Sequence, residues 1–124
     1  MQLAFDRRGP NPIDSYSGGI FRAGRVAHRG SVLLLPDGLQ PWRIANVRQI
    51  SFEALRPLCR EARRFDMLIL GTGATLEMPP RAVLDALQRT GIRVEVMPTA
   101  AACRTWNALL AEGRAVAAAL IAVR

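Results

Sequence analysis

Gly71-Thr72-Gly73 and Thr99 are the residues of this chain best placed for chemistry. The apolar run Met67-Leu68-Ile69-Leu70 stops at Gly71, so it reads as a buried strand opening into a turn. Glycines there let successive backbone N–H groups curl into a nest that cradles an anion. A second strand-to-loop unit, Val94-Glu95-Val96-Met97-Pro98-Thr99, puts Thr99 at the start of a helix, where free N–H groups and a positive dipole end also favour anions. The carboxyl ends of parallel strands are where open α/β sheets bind ligands. The candidate crevice therefore comprises Gly71, Thr72, Gly73 and Thr99, with Arg104, Asn107 and Arg114 as polar groups that could neutralise or orient a ligand. Each has a plainer role: tight-turn glycines, a helix cap at Thr99, and a structural hydrogen bond from Asn107 to a neighbouring loop.

Other chemistry is hard to assemble. The turn is neither a dinucleotide fingerprint, since Leu76 takes the third glycine position, nor a P-loop, since the chain has no lysine. Pro79-Pro80 also delays the next helix by about two turns. Cys103 falls in the first turns of the helix after Thr99, where the dipole would acidify it somewhat, but no histidine is near in sequence. The sole histidine, His28, lies in a turn-rich region and reads as an edge-strand residue. Asp66 and Glu95 are the carboxylates expected near the crevice. No catalytic set, metal constellation or cofactor motif stands out, which favours a non-enzymatic role over an enzymatic one.

The elements that must position these groups change character along the chain. In the first half, short strands are expected at Ile13–Tyr16, Ile20–Ala23, Val26–His28, Ser31–Leu35 and Leu39–Ile44, separated by glycine turns and by Pro36-Asp37-Gly38. This is an antiparallel meander. In the second half, Ser51 opens a helical segment whose buried face would carry Phe52, Leu55, Leu58, Cys59 and Ala62. Pro57 implies a short turn first and a helix beginning near Pro57. A helix over 81–90 ends at Gly91, and one from Thr99 to about Glu112 ends at Gly113. The tail Arg114–Val123 is alanine-rich, which favours helix, but Gly113 has just ended one; it is assigned as a strand beside Ile92–Met97. Strand-helix-strand repeats imply a parallel core sheet. The fold expected is a single α/β domain over 13–124: a mixed central sheet, antiparallel N-terminal strands, a parallel βαβ C-terminal half and helices packed on the sheet. Residues 1–12 form a loosely ordered segment.

Composition bounds the partners. The chain has 124 residues, half of them hydrophobic, enough to bury roughly two-thirds of its unfolded surface. No apolar run reaches the ~20 residues of a membrane helix, and Met1–Arg8 lacks the apolar core of a signal peptide, so the expected location is cytoplasmic. The formal charge is +7, carried by 17 arginines scattered along the chain. That favours acidic partners in general. Arg56, Arg60, Arg63 and Arg64 read as a solvated helix face, and few aromatics and no motif support nucleic-acid binding. Cys59 and Cys103 are expected as free thiols.

Several segments together resemble a known family: Ser31–Pro36, Trp42, Leu68-Ile69-Leu70-Gly71-Thr72-Gly73, Gly91–Met97, Cys103-Arg104-Thr105-Trp106-Asn107 and Glu112-Gly113-Arg114. It is a widespread family of small proteins of unknown function that includes the mitochondrial assembly factor 3 of respiratory complex I (NADH:ubiquinone oxidoreductase). The resemblance runs from about Ile13 to Val123. It implies a compact α/β domain with a mixed sheet, no established catalytic residues and no cofactor. It further implies action through protein contacts, since the mitochondrial relative helps a membrane-arm intermediate assemble beside another assembly factor. Absence of a transit-like leader points to a bacterial, cytoplasmic member. The expected partner is a protein, such as an assembly intermediate of a membrane complex; the alternative is a small-molecule or anion ligand, with an enzymatic activity open, in the Gly-Thr-Gly crevice.

Overall fold

The computed structural model describes residues 11–123, so most of the segment expected to be loosely ordered lies outside the described residues. The central sheet has five strands in the order β5-β4-β8-β6-β7. β4 (Val32–Leu35) and β5 (Gly38–Pro41) form a hairpin, and β4 also runs antiparallel to β8 (Val116–Leu120). β8, β6 (Met67–Gly71) and β7 (Arg93–Met97) are parallel. β6 is apolar throughout because helices or strands cover both its faces, as parallel strands require.

Alternation splits the core in two. Leu33, Leu35, Leu68, Leu70, Ala117 and Ala119 point to one face, under Leu55, Leu58, Val83 and Leu87. These last come from the short helical segments over 53–64, among them α1 (Arg56–Arg60), and from α2 (Arg81–Arg89). Val32, Leu34, Met67, Ile69, Ala118 and Leu120 point to the other. There they meet Ala102, Cys103 and Trp106 of α3 (Thr99–Ala111) and Phe21 and Ala23 of a second sheet. That sheet is an antiparallel meander of β1 (Ser15–Ser17), β2 (Ile20–Ala23) and β3 (Val26–Arg29). The mixed α/β architecture expected from the sequence is thus present.

Four details differ from the sequence expectations. The meander does not run through the whole first half: after β3 the chain turns at Gly30 (φ +100°) and β4 enters the central sheet. β8 lies beside β6 rather than β7, inserted between β4 and β6, where alanines suit a strand pressed from both faces. Phe52 is 40% exposed, because the chain makes a separate 3-10 turn at Glu53–Leu55 before α1 and helical periodicity does not reach back to it. Ser51 does accept the Ala54 N–H at 3.1 Å, and Pro57 sits in the first turn of α1. At the start of the chain, Ile13 is not in a strand; it is buried beneath α3 and β1 begins at Ser15. Among the described residues no helix is long and apolar enough to cross a membrane.

Candidate functional site

The carboxyl ends of β6, β7 and β8 meet at one point, and Gly71, Thr72, Gly73 and Thr99 stand there together. The Thr72 N–H donates to the Met97 carbonyl at 2.9 Å, extending the β6–β7 ladder past its last pair. The Thr99 N–H donates to the Gly73 carbonyl at 2.9 Å, and the Gly73 N–H donates back to Thr99 Oγ1 at 2.9 Å. Thr99 Oγ1 in turn donates to the Ile121 carbonyl at 2.6 Å, while the Ile121 N–H reaches the Gly71 carbonyl at 3.0 Å.

Thr99 is therefore not the helix cap that its position suggested. Pro98 occupies the cap, and Thr99, fully buried, turns its hydroxyl under the sheet ends to join the segments leaving β6 and β8. The hydroxyl gives its one hydrogen to Ile121 and accepts the Gly73 N–H, so it has no hydrogen left to donate to a ligand. The amides of Thr72 and Gly73 are engaged in the same network and face Met97 and Thr99 rather than an open crevice. Gly71 has no room for a side chain: an added Cβ would stand 3.0 Å from Thr99 Oγ1 and 3.2 Å from Thr99 Cα.

The Thr72 hydroxyl points the other way, into the following loop. It donates to the Thr75 carbonyl at 2.6 Å and accepts from the Glu77 N–H at 3.3 Å. The loop 74–78 is thereby tied at its root, and it carries Leu76 and Met78, 56% and 61% exposed. Sequence reasoning uses Leu76 only as the residue that breaks a dinucleotide fingerprint, and it passes over Met78. The available signal was two large apolar side chains between Gly73 and Pro79-Pro80, outside any periodic segment that could bury them.

The remaining predicted residues lie elsewhere. Arg104 is on the exposed side of α3. Asn107 is eight residues beyond Thr99, about 12 Å along the helix axis. Its side chain brackets Ile13, accepting the Ile13 N–H at 2.7 Å and donating to the Ile13 carbonyl at 2.8 Å. The neighbouring Trp106 Nε1 donates to the Asn11 carbonyl at 3.0 Å, so α3 holds the chain entering the domain. Arg114 is exposed near the amino ends of the parallel strands, since the Asp66 N–H meets the Ala115 carbonyl there. Arg114 and Asn107 share a shallow groove of about 390 Å³ with Pro12 and Leu110. Asp66, expected by the crevice, belongs to this opposite end as well.

Cys103 is buried against the second sheet, and burial pushes its thiol up to about 11, outweighing the opposite pull of Arg104. Dipole acidification does not prevail. Burial likewise raises the Cys59 thiol. No cluster of three or more His, Cys, Asp or Glu occurs among the described residues. Of the arginine face, Arg56 pairs with Glu53 at 2.6 Å, and Arg64 bridges Asp37 at 2.8 Å and Glu61 at 2.9 Å.

This geometry can be set against known proteins. A family model described as protein of unknown function (DUF498/DUF598) matches residues 13–121. The chain belongs to that family. Among DUF498 relatives, it is 37% identical over 113 residues to an uncharacterised protein of Rhodobacter capsulatus, covering 91% of this chain and 86% of that one. It is 38% identical over 109 residues to the NADH dehydrogenase [ubiquinone] 1 alpha subcomplex assembly factor 3 of Danio rerio. That similarity covers 88% of this chain but only 63% of the assembly factor. A crystal structure described as an outer membrane protein from Bartonella henselae superposes with a TM-score of 0.89 at 36% identity, covering 98% of this chain and all of that one. The resemblance read from the Gly-Thr-Gly loop and the Arg104–Asn107 helix segment is thus borne out.

Proposed function

We propose that this DUF498 protein is a non-enzymatic interaction protein that supports assembly of a membrane-associated multisubunit complex, acting from the cytoplasm. One observation carries the reading: Leu76 and Met78 are exposed on a loop whose base is pinned by the Thr72 hydroxyl. Large apolar side chains held out on a braced loop cost little order on binding, which suits a protein contact. The mouth beneath them is a closed hydrogen-bond network, a brace more than a receptor. Relatives named as assembly factors of NADH dehydrogenase point in the same direction, and a dehydrogenase intermediate is the first partner to test.

The experiment is affinity capture from native membranes and cytosol, with wild type against Leu76→Ser/Met78→Ser. Wild type should enrich subunits of a respiratory complex, and the double variant should lose about tenfold or more of that yield with an unchanged melting temperature. Recovery of no complex subunit by wild type would overturn the assembly role. Equal recovery by both proteins would remove the loop from it.

A further inference from the structure

We infer that the open edge of β7 pairs with β7 of a second copy, joining two central sheets across a two-fold axis centred on Val94. Of the sheet edges among the described residues, β7 is the longest at five residues. β5, the other edge of the central sheet, ends in Pro41, which has no N–H to offer. β7 contains no proline.

Its hydrogen-bonding phase follows from one contact. The Met97 carbonyl receives the Thr72 N–H, so Met97, and by alternation Glu95 and Arg93, turn their backbone groups towards β6. Val94 and Val96 then direct theirs outwards, and no described element meets them. An antiparallel partner bonding to those groups can place Val94 opposite the partner's Val94 and Val96 opposite the partner's Ile92. In that register Arg93 stands directly opposite the partner's Glu95, and the two-fold repeats the pair. A shift that puts Glu95 opposite its own copy brings like charges together. Charge selects the first register.

Both charges are accessible and only loosely paired with each other. Arg93 and Glu95 are 71% and 45% exposed, and their contact along the strand is 3.7 Å, too long for a hydrogen bond. An edge guarded by one sign of charge repels a second copy. This edge carries both signs, spaced so that the strand is complementary to itself. The inference is independent of the loop carrying Leu76 and Met78.

Sedimentation equilibrium of the full chain over a concentration series tests it. Wild type should show a monomer–dimer equilibrium that weakens in about 1 M salt. Arg93→Glu and Glu95→Arg should each raise the dimer Kd about tenfold or more, since each turns both cross-strand pairs repulsive. The exchange Arg93→Glu/Glu95→Arg should return the Kd to within about threefold of wild type, because the attractive pairing is rebuilt. Melting temperatures show whether each variant folds. Leu76→Ser/Met78→Ser should leave the equilibrium unchanged, so failure here is separable from failure of the assembly role. A monomer at every concentration, a dimer indifferent to the single reversals, an exchange no better than either single change, or a dimer lost in the loop variant would each overturn the inference.

Discussion

Thr99 and Gly73 bind each other twice, the Thr99 N–H giving to the Gly73 carbonyl and the Gly73 N–H giving to the Thr99 hydroxyl, both at 2.9 Å. The hydroxyl continues to the Ile121 carbonyl, so one buried side chain fastens the ends of β6 and β8 to the start of α3. Replacement by valine keeps the shape and strands two polar groups. Thr99→Val should cost about 2–4 kcal/mol in urea unfolding, and Thr99→Ser about 1 kcal/mol or less. Equal losses for the two would show that the methyl matters as much as the hydroxyl.

Gly71→Ala tests the same junction by crowding. The added methyl would press on Leu120 Cδ2 at 3.0 Å and on the Thr99 backbone at 3.2 Å, and the backbone has little freedom to move away. A loss of about 1–3 kcal/mol is expected. An alanine variant as stable as wild type would mean the junction is looser than these distances imply.

Asn107 acts locally. Asn107→Ala removes both bonds to Ile13 while leaving Trp106 and the rest of α3 in place. Amide exchange at Ile13 should accelerate about ten- to a hundredfold, with global stability changed much less. Hydrogen-exchange mass spectrometry of the peptide spanning residues 11–17 reads this directly. Unchanged protection there would show that the segment is held by its apolar burial alone.

Cys103 makes stability depend on alkaline pH. Its thiol is held at about 11 by burial against an ordinary value of 9.0. Below pH 9 folded and unfolded chains both keep the proton, and the full stability is present. Between about 9 and 11 the unfolded chain ionises first, so stability falls by on the order of 2 kcal/mol. Tyr16, raised mainly by burial, adds to the decline at higher pH. Cys103→Ala should be less stable at pH 7 yet show a shallower fall over that window. Parallel curves for the two proteins would assign the decline to other groups.

The parts of the fold that could be read from the chain are those fixed by local chemistry. The apolar run ending at Gly71, the left-handed turns at Gly91 (φ +84°) and Gly113 (φ +76°), and the proline-delayed start of α1 all follow from neighbouring residues. The seat of β8 does not. Met67 pairs with Val116 and with Arg93, and nothing near Val116 encodes which parallel strand it joins; packing of Ala118 under α3 and of Ala117 and Ala119 against the opposite helical layer decides that. Thr99 was legible as a residue of the junction but not in its role, because a threonine before a helical run signals a cap unless a distant carbonyl, here that of Ile121, claims the hydroxyl. Asn107 was anticipated as a loop anchor, and Ile13 is the residue it anchors.

The position of β8 sets a schedule for biosynthesis. Residues 116–120 follow every other described strand in chain order, yet they form the centre of the sheet, with β4 on one side and β6 on the other. Until they clear the ribosome, the β4–β5 hairpin and the β6–β7 pair are two half-sheets with open inner edges and apolar faces. A chain truncated before Val116 should therefore be a client for holding chaperones, and a chain that includes Leu120 should not.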